Sequence, residues 1–242
     1  MSPDQLRRYL EFYQDLGVKN LYLPRGRRAD ARSRAPGPST EHSASGPRDA
    51  ASESLLLPIL QDIGDCHRCR LHEGRTHIVF GVGNEHSPLV FVGEGPGADE
   101  DAQGIPFVGR AGQLLTQMIE NTARKEGIAI RRDDVYICNV VKCRPPDNRT
   151  PEPDEMEICG QFLQRQLSAI QPKAICALGG TAARALTGHK EGVTKLRGKW
   201  LKWKDIPVMV TYHPSYLLRP YNQNAKREAW EDLKKILHYV YD

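Results

Sequence analysis

Four short runs, apolar but for Asn139 and Thr211 and each followed by a stretch of helical character, constrain this chain more than any other feature of its sequence. The runs are Leu89–Val92, Val135–Val141, Ala174–Leu178 and Val208–Thr211. Around them Ser54–Ile63, Ala111–Lys125, Pro153–Gln171, Gly180–Thr187 and Ala225–Tyr241 read as helices. A strand with one wet face alternates apolar and polar residues, whereas a strand covered on both faces stays apolar throughout. Apolar strands alternating with helices therefore predict an α/β domain whose parallel sheet is covered on both faces. No internal repeat competes with that reading.

The predicted domain spans residues 54–242, and the 242-residue chain leaves room for an appendage ahead of it. Residues 1–24 hold a helical segment: Pro3 and Asp4 suit a helix start, and Leu6, Tyr9, Leu10, Tyr13 and Leu16 recur at helical spacing. Residues 25–53 are rich in Arg, Ala, Ser, Gly and Pro and nearly devoid of large apolar side chains, so they read as a flexible linker. The first helix could dock on the main domain, bind an unidentified partner or fray; the sequence does not choose. No apolar stretch is long enough to span a bilayer, and the opening residues lack the layout of a secretion signal. These features point to the cytoplasm, where thiols stay reduced. The net charge of +4 permits nucleic-acid binding without arguing for it.

Between Leu89–Val92 and the helix from Ala111 lies Gly93-Glu94-Gly95-Pro96-Gly97-Ala98-Asp99-Glu100-Asp101, then Pro106-Phe107-Val108-Gly109. Such a loop sits where an open α/β sheet presents its chemistry, at the carboxyl end of a strand. A phosphate cradle needs Gly with Lys, Arg or free helix N–H groups, and the four acids here would repel a phosphate. Glycines let the backbone approach a flat ligand closely. The acids suit work on water or on a developing cation, and Phe107 offers an aromatic face. A plain strand-to-helix turn with solvated acids is the alternative.

Cys66-His67-Arg68-Cys69 is a C-x-x-C pair, with Cys143 and Cys159 on either side of the loop Arg144–Pro151. In a reduced compartment such a set is metal-binding rather than disulfide-bonded. Zinc and an iron–sulfur cluster both accept four thiolates; the wide second pair leans toward a cluster. His67 is a possible alternative ligand or a solvated turn residue. Cys138 and Cys176 fall inside predicted strands and read as small buried hydrophobes.

Asn139 interrupts an apolar run, so its amide must bond the backbone or face a ligand. His213-Pro214-Ser215-Tyr216-Leu217-Leu218-Arg219 follows the last predicted strand, placing an imidazole at the same sheet edge.

Together, GEGPGADED with GIPFVGRAGQLL, NVVKCRPPDNRTP, HPSYLLR and the ordered cysteines resemble the family 4 uracil-DNA glycosylases, the iron–sulfur branch of their superfamily, over most of residues 54–242. The resemblance implies a three-layer α/β/α sandwich with a short parallel sheet, acting as a monomer on uracil-containing DNA. It implies hydrolysis of the bond between uracil and its sugar, the first step of base-excision repair. Cys66, Cys69, Cys143 and Cys159 are then ligands of a structural [4Fe–4S] cluster. Phe107 stacks on the extruded base, Asn139 reads its edge, and the backbone of Glu94, Gly95 and Pro96 completes recognition. His213 stabilises charge on uracil O2, and Glu100, or after it Glu94, positions water. Ser215 and Arg219 meet the DNA backbone, Leu217 or Leu218 fills the vacated stack, and Lys142, Arg144 and Arg149 face phosphate. A sister branch that traps uracil covalently carries a His before the last motif. Val193–Lys199 has none, which implies ordinary turnover. A uracil-DNA binding protein with little turnover, a zinc-dependent nucleic-acid module and an electron carrier are the competing readings.

Overall fold

The apolar runs become the interior strands of a sheet in a computed structural model that describes residues 54–219 and 222–242. The helical segment at 1–24 and the linker at 25–53 lie outside the described residues. The strands are β1 (Val82–Gly83), β2 (Leu89–Gly93), β3 (Tyr136–Asn139), β4 (Ala174–Leu178), β5 (Trp200–Trp203) and β6 (Ile206–Thr211), in the spatial order β1-β3-β2-β4-β6-β5. β3, β2, β4 and β6 run parallel, and every residue of β2, β3 and β4 is buried. The sheet is not wholly parallel, however. β1 and β5 cap its two edges in antiparallel register. β1 is only two residues long, and β5 is half wet with Trp200 41 % exposed, so neither carries the apolar run by which the inner strands are recognised.

The helices are α1 (Leu57–Ile63), α2 (Ala98–Gln103), α3 (Arg110–Lys125), α4 (Pro153–Ile170), α5 (Gly180–Thr187), α6 (Val193–Leu196), α7 (Pro214–Leu217) and α8 (Gln223–Tyr241). α1 starts later than Ser54, whose hydroxyl donates instead to the Glu85 carboxylate. The acid-rich segment after β2 is not all loop: Gly97 caps α2, and Asp99, Glu100 and Asp101 occupy its first turn, where the helix dipole favours negative charge. Gly104, at φ +70°, ends it.

The right-handed crossover rule puts α3 on one face of the sheet and α4 and α5 on the other, and the C-terminal α8 packs beside α3. On the first face Leu115, Ile119, Leu233 and Ile236 pack on Phe91, Ile137, Cys176 and Met209, which share one side of adjacent strands. On the opposite face Gln166 of α4 donates to the hydroxyl of Tyr136, one residue out of phase with Ile137. The result is a three-layer α/β/α fold. The chain leaves β2 for β3, then returns to β2's other side for β4. The loops at the carboxyl ends diverge at that switch and open a crevice.

Candidate active site

A cavity of ≈ 380 Å³ fills the crevice. The loop after β2 contributes Glu94, Gly95, Pro96 and Gly97, and α2 contributes Glu100; the turn leading into α3 brings Phe107 and its first turn Ala111; the end of β3 brings Asn139. Pro145, Asn148 and Arg149 form another wall, and His213 and Ser215 enter from the loop after β6. Phe107, Asn139 and His213, separated in sequence, thus share one space.

Phe107 occupies the left-handed region at φ +54°, an uncommon conformation for a residue with a Cβ. Its neighbours hold it there. The Pro106 carbonyl accepts a bond from Arg132 Nη2 at 2.8 Å, and the Val108 and Gly109 amides both donate to Glu100 Oε1 at 2.9 Å. Gly112 permits the arrangement, because a Cβ there would lie 1.8 Å from the Phe107 carbonyl oxygen. Backbone strain of this kind persists only where its surroundings over-determine it. The Phe107 ring is buried, with its centroid 5.7 Å from that of His213.

Asn139 pairs with Gly93 at the end of the parallel ladder and is 1 % exposed. Its Oδ1 is buried and has no hydrogen-bond partner among the described residues. Such an orphan costs about 1–3 kcal/mol. Asn139 itself lines the cavity, and no group among the described residues donates to its oxygen. The amide lies over bare glycine backbone: a Cβ on Gly93 would sit 2.4 Å from Asn139 Oδ1 and 2.5 Å from Phe107 Cζ.

His213 Nδ1 accepts the Ser215 backbone amide at 3.2 Å, and Ser215 Oγ lies 2.8 Å from the same nitrogen. An amide N–H only donates, so Nδ1 carries the lone pair and Nε2 the proton. Burial pulls the imidazole's pKa down to about 4, against a weaker upward pull from the Glu100 charge. At neutral pH the ring is an uncharged Nε2–H donor.

Three of the four acids of the loop, Glu94, Glu100 and Asp101, are internal acceptors, while Asp99 is exposed. Glu100 Oε2 takes the Gly97 amide at 3.1 Å, so the carboxylate braces three backbone amides, and Glu100 also lines the cavity. Glu94 accepts the hydroxyl of Thr181, from the start of α5. Buried Asp101 takes the amides of Thr76 and His77.

Several expectations around the cavity change. Leu217 is 1 % exposed and packs with Tyr212, Ala225 and Ala229, so it is core and cannot fill a gap in a base stack. Leu218 is half-buried and Arg219 exposed, both beyond the cavity lining; Ser215 does line it. Lys142 is fully buried and faces no phosphate. Arg144 Nε donates to Asn148, and Arg149 holds the buried Glu155 carboxylate with both Nη atoms while lining the cavity. The sequence reading passed over Tyr216, which is 40 % exposed and stacked on Tyr212 at 5.3 Å. An aromatic inside HPSYLLR was the available signal.

Cys66, Cys69, Cys143 and Cys159 line a single cleft between α1 and α4, with Ile63, Phe162 and Lys142. The Lys142 backbone amide donates to Cys159 Sγ at 3.2 Å, and Arg75 Nη1 lies 3.6 Å from Cys143 Sγ. Burial pushes the Cys143 thiol up to about 11 and Cys159 up to about 12. Among the described residues no three His, Cys, Asp or Glu side chains are grouped to grip one metal ion. His67 pairs with Asp65 at the surface. Cys138 and Cys176 are buried in β3 and β4.

Among the described residues no helix is long and apolar enough to cross a membrane. Residues 80–234 match the model of the uracil DNA glycosylase superfamily. A Type-4 uracil-DNA glycosylase of Thermotoga maritima is 48 % identical over 190 residues, covering 78 % of this chain and 96 % of that protein. The Type-4 uracil-DNA glycosylase of Archaeoglobus fulgidus is 45 % identical, with 75 % and 91 % covered. A Type-5 uracil-DNA glycosylase of Pyrobaculum aerophilum is 34 % identical over about half of each chain.

Proposed function

Because the chain belongs to the uracil-DNA glycosylase superfamily, we propose that its cavity receives a uracil swung out of DNA and cleaves the bond tying it to the sugar. The protein is a uracil-DNA glycosylase, and it leaves an abasic site for repair. The observation that carries the reading is the meeting of Phe107, the unpartnered Asn139 Oδ1 and the Nε2–H of His213 in one cavity.

The target base is inaccessible inside a duplex, so the nucleotide must leave the stack. Phe107 stacks on it, which supplies ~1–3 kcal/mol without regard to base identity. Identity is read by Asn139. Its Oδ1 accepts the N3–H of uracil and its Nδ2 donates to O4; cytosine offers an acceptor and an amino donor at those atoms, the reverse of what the amide needs. The backbone N–H groups of Glu94 and Gly95, with Pro96 beside them, border the same edge. As the bond breaks, negative charge moves onto uracil O2 and positive character onto the sugar. The neutral His213 donates from Nε2 to O2 as that charge grows; a preorganised donor of this kind is worth ~10²–10³ in rate. Glu100 orients the water that adds to C1′ and its charge offsets the sugar's; the added water keeps one hydrogen as the new hydroxyl, and its other proton ends on the departed uracil anion. Ser215 and Arg219 grip phosphate, Leu218 enters the gap left by the base, and Tyr216 adds an exposed stacking face. Residues 193–199 carry no His to trap the sugar, so the enzyme turns over.

Cys66, Cys69, Cys143 and Cys159 are the ligands of a [4Fe–4S] cluster. The donor set fits it: four sulfurs line one cleft, and two of them are approached by N–H groups. When bound, the cluster supplies cross-linking of α1 to the loop after β3 and α4, and no chemistry at the base. A reducing compartment such as the cytoplasm keeps the thiols available.

The test is incubation with uracil-containing single- and double-stranded DNA followed by alkali, with wild type, Asn139→Ala and His213→Ala side by side. Broken strands establish excision. A retarded but intact strand reduces the protein to a uracil binder, and wild-type breakage unchanged in both variants overturns the site.

A further inference from the structure

Lysine is almost never fully buried unless paired, yet Lys142 is 0 % exposed. Its hydrogen-bond partners include no carboxylate. Nζ donates to the carbonyl oxygen of Asn139 at 2.7 Å and to Gln166 Oε1 at 2.7 Å. Gln166 is itself fixed, its Nε2 donating to the Phe80 carbonyl and to the Tyr136 hydroxyl, both at 3.0 Å. The backbone of Lys142 is held as firmly. Its amide donates to Cys159 Sγ at 3.2 Å, its carbonyl accepts the Val79 amide at 2.7 Å, and the next residue is Cys143.

These bonds converge on the residue that reads the base. β3 ends at Asn139, and beyond it Val140 and Val141 stay on the ladder through bonds to the Gly93 and Glu94 carbonyls. Lys142 then turns its side chain back three residues to grip the Asn139 peptide. Asn139 Oδ1 has no side-chain or backbone bond to aim it. The direction of the amide is left to its backbone and to packing on Gly93 and Phe107.

We propose that Lys142 is a positioning residue for Asn139, bracing the end of β3 between Gln166 and the cysteine cleft so that the amide meets the uracil edge at the correct angle. This rests on the uracil reading of the cavity. A misplacement of about 1 Å at such a contact costs roughly 10²-fold in rate.

A double-mutant cycle of Lys142→Met and Asn139→Ala, read as single-turnover excision of uracil, tests it. Lys142→Met is expected to slow wild type by about 10²-fold but to cost less than about threefold once Asn139 is already Ala. Inhibition by free uracil should weaken in Lys142→Met, while affinity for abasic-site DNA stays at the wild-type value. If Lys142→Met does not fold, Gln166→Leu is added to remove the stranded amide, and the cycle is run against Gln166→Leu alone. Equal losses with and without Asn139, or parallel loss of uracil and abasic-DNA binding, overturn the assignment. A wild-type protein that does not cut uracil-DNA fails the reading of the cavity before the cycle begins, so the two failures are told apart.

Discussion

The backbone amide of Ser215 donates to Nδ1 of His213 at 3.2 Å and so fixes which nitrogen of the ring holds its proton. Protonating Nδ1 would expel that amide and place a charge on a half-buried ring. The pKa of His213 stands at about 4, below its ordinary 6.5, chiefly through burial. Excision at saturating enzyme is therefore expected to show no inflection at 6.5 and to fall as pH drops through about 4. The sign for stability is the same. Below 6.5 the unfolded chain takes up the proton before the folded one, so the stability tied to neutral His213 is complete above 6.5 and lost as pH falls through about 4. Denaturant titrations of wild type and His213→Asn at stepped pH read this directly. A rate profile that bends at 6.5 would contradict the neutral donor.

Gly93 faces two of the three site residues at once. A methyl group there would approach Asn139 Oδ1 to 2.4 Å and Phe107 Cζ to 2.5 Å, closer than non-bonded atoms tolerate. Both contacts are with side chains whose positions matter to the base and not with the sheet's hydrogen bonds. Gly93→Ala should consequently lower uracil excision by about 10²-fold, the cost of a displaced contact, while the protein stays folded at room temperature. Circular dichroism melts beside the excision assay separate the two effects.

What the sequence made legible, and what it hid, follows from the range of each interaction. β4 and α5 fall on the residues foreseen, because apolar runs and helical spacing are local signals. Phe107, Asn139 and His213 are joined in the sequence only through the resemblance their motifs carry, and in the fold the three line one cavity. Lys142 was read as a phosphate contact, since a lysine in KCRPP looks basic and exposed; only the tertiary partners Asn139, Gln166 and Cys159 explain its burial. Glu100 is similar. Its bracing of Val108 and Gly109 joins residues that no periodicity links. The edge strands β1 and β5 escaped because an edge can be short and wet, without the apolar run that marks an interior strand.

Under the cluster proposal Cys143 is held between two demands: its thiol is buried, which pushes its pKa up to about 11, yet a ligand must be a thiolate. A bound cluster resolves the conflict, and its loss leaves a cleft of buried polar sulfur between α1 and the loop after β3. Purified wild type is expected to be brown, with absorption near ~400 nm from iron–sulfur ligation. Cys143→Ala should lose that absorption and its cooperative melt together. A colourless wild type containing stoichiometric zinc would replace the cluster with a different metal, and an active, cluster-free Cys143→Ala protein would remove its structural role.

Two glycines inside helices make opposite predictions from the same substitution. Alanine is favoured over glycine in a helix interior by ~0.8–1.0 kcal/mol. Gly160, in the second turn of α4, has no atom within 4 Å of where a Cβ would stand, so Gly160→Ala should collect most of that gain and leave excision unchanged. Gly112, near the start of α3, has the Phe107 carbonyl oxygen at 1.8 Å and its carbon at 1.9 Å from the same point. Backbone cannot rotate aside as a flexible side chain can, so the steric term exceeds the helix preference. Overpacking of this kind costs about 1–3 kcal/mol, which for a domain of this size lowers the melting temperature by roughly 2–4 °C per kcal/mol. The chain relieves the clash by moving Phe107 out of its left-handed conformation, so Gly112→Ala should also lose base stacking and with it excision. Melting temperature and excision rate, measured for both variants, should rise or hold for Gly160→Ala and fall for Gly112→Ala. A Gly112→Ala enzyme with wild-type rate and stability would mean that the Phe107 backbone does not approach α3 as described.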